Sequence, residues 1–169
     1  MLDRKVTIGR NLRVDLPGYA KGVPAKVDTG ADSSSVWASD VRITPEGLIQ
    51  FVLFGPESPL YSGEIIETDA YTVAVVRSTT GHEEIRYRVV LPVRVKRKLI
   101  KAVFNLSNRS LNKFPILIGR RTLSKKFVVD VSEGDESILP IFKDETKLLN
   151  EELRGNPHAF YSKYHGRDL

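Results

Sequence analysis

The stretch Ala25-Lys26-Val27-Asp28-Thr29-Gly30-Ala31-Asp32-Ser33-Ser34 decides how the rest of this chain is read. An apolar strand runs straight into an acid, a hydroxyl and a glycine, which puts a carboxylate at a strand end. Asp and Gly are turn residues, so the tripeptide alone also suits an ordinary strand terminus. Its context says more. Thr29 can hydrogen-bond across to a partner, and Gly30 lets another backbone approach closely.

Outward from this stretch, strand signals dominate as far as residue 131. Val6 to Val14, Ala25 to Val27, Leu48 to Phe54, Tyr71 to Arg77 and Ile85 to Val95 are rich in β-branched and aromatic residues. Ala102 to Leu106, Ile116 to Ile118 and Phe127 to Val131 continue the pattern. Turn markers such as Pro17-Gly18, Pro45-Glu46-Gly47 and Ser62-Gly63 separate the runs. Many short strands with few helical patterns predict an all-β barrel or sandwich. A short helix is expected over Arg120 to Lys125, and a second over Lys143 to Arg154, where Leu148, Leu149 and Leu153 share helical spacing. From Asn156 the tail has aromatic residues but no period, and is expected to be disordered or to fold only against a partner.

The chain has 169 residues and 41% hydrophobic content, enough for one domain with a sizeable core, or one domain plus a tail. The expected division is 1–142 and 143–169. With no cysteine, disulfides and thiolate zinc sites are excluded. The first residues lack the apolar run of a signal peptide, and no stretch approaches the roughly 20 apolar residues that span a bilayer. A soluble cytoplasmic protein without membrane contact is the expectation. The net charge of +5 draws on Arg94-Val95-Lys96-Arg97-Lys98, Arg120-Arg121 and Lys125-Lys126. Such charge attracts nucleic acid or acidic peptides, but equally suits a solvated edge strand guarded by basic residues.

The chemistry open to Asp28 is that of an aspartic protease. Two carboxylates face each other and share one proton, because like charges at close range cannot both ionise. One then acts as base on a water and the other as acid. No covalent intermediate, metal or cofactor is called for. The chain has a single Asp-Thr-Gly, since Val129-Asp130-Val131-Ser132 lacks the glycine. The second carboxylate must therefore come from a second copy across a two-fold axis.

Phe114-Pro115-Ile116-Leu117-Ile118-Gly119-Arg120-Arg121 read alone is a buried strand and a turn. After an Asp-Thr-Gly, the combination resembles the retroviral-type aspartic proteases, the retropepsins. The resemblance implies a closed β-barrel with a short helix after the Ile-Gly-Arg strand. It also implies that Arg120 pairs with Asp32 and that Gly119 helps support the loop. The resemblance is closer over the whole body of the chain. Ile8-Gly9-Arg10, Val14-Asp15-Leu16-Pro17, Ala25 to Ala31, Gly81-His82-Glu83-Glu84, Pro115 to Arg120 and Phe127-Val128-Val129-Asp130 occur in this order. That set is similar to a bacterial and archaeal retropepsin-like family that has carried the label ATP-dependent zinc protease. It covers about residues 6 to 140.

The resemblance implies a homodimeric endopeptidase with Asp28, Thr29 and Gly30 as its catalytic loop. Ala31, Gly81 and His82 would touch the peptide, with residues 78–84 as a flap over the cleft. Members of the family are often associated with a ligase that adds glutamate to a protein C-terminus, which suggests trimming of such tails. The zinc and ATP of the label find no support in the residues. The only histidines, His82, His158 and His165, form no His-Glu-x-x-His pattern, and there is no Gly-rich Lys-Ser/Thr loop for phosphates. Where many relatives have a histidine-alanine pair, this chain has Trp37-Ala38, and Trp37 is expected to be a packing residue. Two other readings compete. One is a catalytically silent peptide-binding or scaffolding dimer. The other, less favoured, is an RNA- or ribosome-associated protein using Arg94 to Lys101.

Overall fold

The computed structural model describes residues 5–77, 81–138 and 145–166. The chain divides into two compact units, Met1–Ile138 and Leu139–Leu169. The first is built almost entirely of strands: β1 (Val6–Ile8), β2 (Asn11–Leu16), β3 (Ala20–Asp28), β4 (Ser34–Ile43), β5 (Ile49–Leu53) and β6 (Ile65–Thr68). They are followed by β7 (Tyr71–Arg77), β8 (Glu83–Val95), β9 (Lys98–Ser107), β10 (Ile116–Gly119), the one-turn helix α1 (Arg120–Leu123) and β11 (Phe127–Val129).

Period-two burial explains the sheet. Leu12, Val14 and Leu16 of β2, Val23, Ala25 and Val27 of β3, and Val89, Leu91, Val93 and Val95 of β8 are buried. Each strand thus turns one face inward, and each buried Val or Leu contributes roughly 1.5–3 kcal/mol. The strands β3, β2, β8, β9, β4 and β10 pair in succession, and β10 returns to β3, closing a six-strand barrel. Phe104, Ile116, Ile118 and Val36 complete its centre. Closure removes the free edges that an open sheet would expose. Of the all-β barrel or sandwich that the strand pattern allowed, the chain forms the closed barrel that the family resemblance implied.

Three features differ from the sequence reading. Strand β4 begins at Ser34-Ser35, inside a polar run that gave no strand signal, and β6 is a four-residue strand that was likewise not anticipated. The basic run Arg94 to Lys98 is not an edge strand. It is the turn of the β8–β9 hairpin, with Val95 opposite Lys98, Arg94 also paired to Asp15 of β2, and Lys96 at φ 53. Solvation of the turn, rather than protection of an edge, accounts for its charge.

The second unit carries α2 (Glu145–Gly155) and α3 (Pro157–His165). Of the helical or disordered tail that was expected, the second of these shows the helical form beyond Asn156, where no period was visible. Asn156 caps it by accepting the Ala159 amide at 3.0 Å, and Pro157 sits where its missing N–H costs nothing. Glu152 on α2 accepts from Lys163 at 2.6 Å and Tyr164 at 3.0 Å on α3, which ties the two helices together. No residue of α3 is buried, so the sequence shows no apolar period there. Among the described residues, no helix is long and apolar enough to cross a membrane.

Candidate active site

Strands β3 and β10 run parallel, with Ala25 opposite Ile116 and Asp28 opposite Gly119. Because Val27 points into the core, Asp28 emerges from the strand end half-buried, on the rim of the barrel. Its Oδ1 accepts two backbone amides, from Gly30 and Ala31, each at 3.1 Å. The loop thus wraps around its own carboxylate and fixes its direction. Thr29 and Gly30 are exposed.

Helix α1 braces the loop from behind. The Arg120 amide donates to the Ala31 carbonyl at 2.8 Å and the Arg121 amide to the Asp32 carbonyl at 3.2 Å. The Arg120 guanidinium donates to Asp32 Oδ1, and Arg121 reaches Asp32 Oδ2 at 3.3 Å. The hydrogen bond from Arg120, helped by its charge and that of Arg121, holds the Asp32 carboxyl below its ordinary range. Gly119 is required on steric grounds. A Cβ there would stand 2.4 Å from the Ser33 backbone carbon and oxygen. Inside the brace, the buried Ser34 hydroxyl accepts the Gly119 amide at 3.1 Å and bonds the Thr122 hydroxyl at 2.8 Å.

The hairpin β7–β8 pairs in continuous register from Tyr71 opposite Val89 to Arg77 opposite Glu83. Residues 78–80 of the expected flap lie outside the described residues. Gly81, at φ +84, and His82 are exposed. The structure therefore groups Asp28, Thr29, Gly30, Ala31, Asp32, Gly119 and Arg120 in one loop and its brace, and puts Gly81 and His82 on the hairpin. Trp37 is buried edge-on against Phe54, with ring centres 6.5 Å apart. Beside the root of the hairpin, a pocket is walled by Trp37, Gly55, Glu84, Arg86, Tyr87 and Ser107; Asp28 does not line it.

Sequence reasoning did not find Ser34, Thr122, Arg121, or the triplet Arg88, Asn105 and Ser33. Arg88 Nε donates to Asn105 Oδ1 at 2.9 Å and its NH2 to Ser33 Oγ at 3.1 Å. No local signal marks these residues, because their partners lie 17 to 89 positions away. Among the described residues, no cluster of three or more His, Asp or Glu side chains has the arrangement to hold a metal ion.

A closed six-strand barrel with an Asp-Thr-Gly loop buttressed by a glycine-arginine helix defines the class as a retropepsin-like fold. The chain belongs to the RimB-like family, described as retropepsin-like aspartic endopeptidase RimB, whose model matches residues 7–136. It is 30% identical over 140 residues to a protein of Shewanella pealeana named probable alpha-L-glutamate ligase, covering 79% of this chain and 30% of that protein. A Desulfotalea psychrophila protein of the same name is 25% identical over 122 residues, covering 64% of this chain and 25% of its own length. The chain thus spans less than a third of the length of these curated relatives. A Legionella pneumophila protein of unknown function shares the fold at a TM-score of 0.62 and 22% identity, over 79% of this chain and 99% of that one.

Proposed function

We propose that the chain is one subunit of a homodimeric aspartic endopeptidase. The observation that carries this reading is an Asp28 carboxylate oriented by two amides beside a Thr29 and a Gly30 that the chain itself leaves without work. The Thr29 side chain makes no hydrogen bond among the described residues. A Cβ on Gly30 would meet nothing nearer than Asp28 Oδ1, at 3.4 Å. Groups kept open in this way suit contacts supplied by a second copy and a substrate.

In the dimer, Asp28 and its symmetry mate share one proton. The ionised carboxylate takes a proton from water as the water oxygen bonds to the peptide carbonyl carbon. The protonated one gives its proton to the carbonyl oxygen. Collapse of the resulting diol breaks the C–N bond, and the amine leaves with a proton returned through the pair. The substrate lies extended, bonding like an added strand under the hairpin.

The substrate we favour is an intracellular, cytoplasmic protein carrying an added glutamate tail. A segment like this chain forms 30% of a protein named probable alpha-L-glutamate ligase, and a hydrolase is the natural opposite of a ligase. The test is Asp28→Asn. The variant should keep the dimer and its melting temperature while losing peptide cleavage. Cleavage at the wild-type rate by that variant would refute the assignment.

A further inference from the structure

We infer that Arg88 is a specificity-determining residue, whose guanidinium receives the carboxylate of an acidic side chain on a bound peptide. The inference takes the location of the cleft from the proposed proteolytic reading and goes beyond it by assigning a subsite.

Arg88 stands at a fork. It is the last residue of β8 paired to β9, opposite Asn105, and on its other side it pairs with Thr72 of β7. Towards Glu83, β8 belongs only to the hairpin. From this root the side chain reaches Ser33, which follows Asp28 by five residues on the catalytic loop. Asn105, which holds Nε, is buried, and it pairs with Ser35 of β4 through the backbone register. The guanidinium is therefore fixed between the loop that carries the acid and the hairpin expected to cover it. A peptide threading the cleft passes there.

Both acceptors of Arg88 are neutral, and among the described residues no carboxylate pairs with it. Neutral oxygens orient a guanidinium without balancing its charge, and a half-buried cation lacking a counter-charge is unfavourable. Its neighbours make the imbalance worse. Arg86, two residues along the strand, is forked onto Glu84 at 3.0 and 2.8 Å. Arg109 spends its Nε on the Phe114 carbonyl, and burial together with the charge of Arg86 lowers its pKa from the ordinary range. Arg86, Arg88 and Arg109 thus have Glu84 as their one carboxylate partner among the described residues. Arginine has five N–H donors in a planar fork, so after two bonds Arg88 keeps three for a ligand. A carboxylate satisfies that geometry and the charge together. The side chain that supplies it is glutamate or aspartate.

Hexaglutamate is the simplest probe, because it offers a carboxylate at every position and no register need be known. Its binding, labelled with fluorescein, is compared with that of labelled hexaglutamine on full-length Asp28→Asn protein, which cannot consume either peptide. The expected preference for hexaglutamate is about tenfold or more, lost with Arg88→Gln in the same background and only partly kept by Arg88→Lys, which cannot fork. The preference should survive Arg97→Gln with Lys101→Gln, which removes charge near the far end of β8. Ser33→Ala, which keeps the charge but loosens its aim, should weaken hexaglutamate a few-fold if Arg88→Gln proves unable to fold. Equal binding of the two peptides, or a preference untouched by both Arg88→Gln and Ser33→Ala, overturns the inference. Selective binding by a wild-type chain that never cleaves would count against the protease and leave the Arg88 subsite standing.

Discussion

The brace and the reactive edge of one loop meet very different demands. In the brace, the buried Ser34 hydroxyl bonds the Thr122 hydroxyl and accepts the Gly119 amide, and Gly119 has no room for a side chain. At the reactive edge a few residues away, Thr29 and Gly30 are exposed, and a Cβ on Gly30 would be in ordinary contact only. The chain completes the first region by itself. The second, on the proposed reading, is completed by a second copy and a substrate. Stability and function therefore separate, and substitutions distinguish the two regions.

The largest effect is expected at the edge. Asp28→Asn should reduce cleavage by about a thousandfold or more, since the shared proton and the base are lost together, while thermal unfolding stays near that of the wild type. Next comes the glycine pair. Gly119→Ala should destabilise the fold by about 3 kcal/mol in chemical denaturation, because backbone atoms must shift to admit the methyl group. Gly30→Ala should leave stability within about 0.5 kcal/mol but weaken cleavage or dimer formation. Equal losses of stability would erase the contrast between the regions. Ser34→Ala should cost about 1–3 kcal/mol, because the Gly119 amide and the Thr122 hydroxyl lose a buried partner.

The smallest effect is expected at Asp32, whose ion pair with Arg120 and Arg121 is exposed. Its folded pKa is depressed from an ordinary value of 3.8, chiefly by the hydrogen bond from Arg120. The stabilisation is thus present above that ordinary value and disappears as the pH falls through the lowered one. Melting curves of wild type and Asp32→Asn should differ slightly at neutral pH and converge in strong acid.

These same two regions show what the sequence could reveal. Asp28-Thr29-Gly30 and Ile118-Gly119-Arg120 were legible because each is a contiguous run with its own logic, an acid at a strand end and a glycine before a basic turn. The contact of Arg120 with Asp32 followed only from resemblance to a family. Ser34 and Ser35 begin a strand that was missed, because serines held inside by hydrogen bonds break the apolar alternation that marks strands. Arg88 drew no reading of its own, since nothing near it in sequence announces Asn105 or Ser33. Helix α3 left no period for a different reason: with none of its residues buried, no apolar face had to be encoded.

The central claim is that each acid works only with its twin. Wild-type and Asp28→Asn chains, co-refolded in equal amounts at constant total protein, test it directly. If two intact Asp28 carboxylates are needed in each dimer, activity should fall to roughly one quarter of the all-wild-type value. A fall to roughly one half, as expected when each chain acts alone, would contradict the claim.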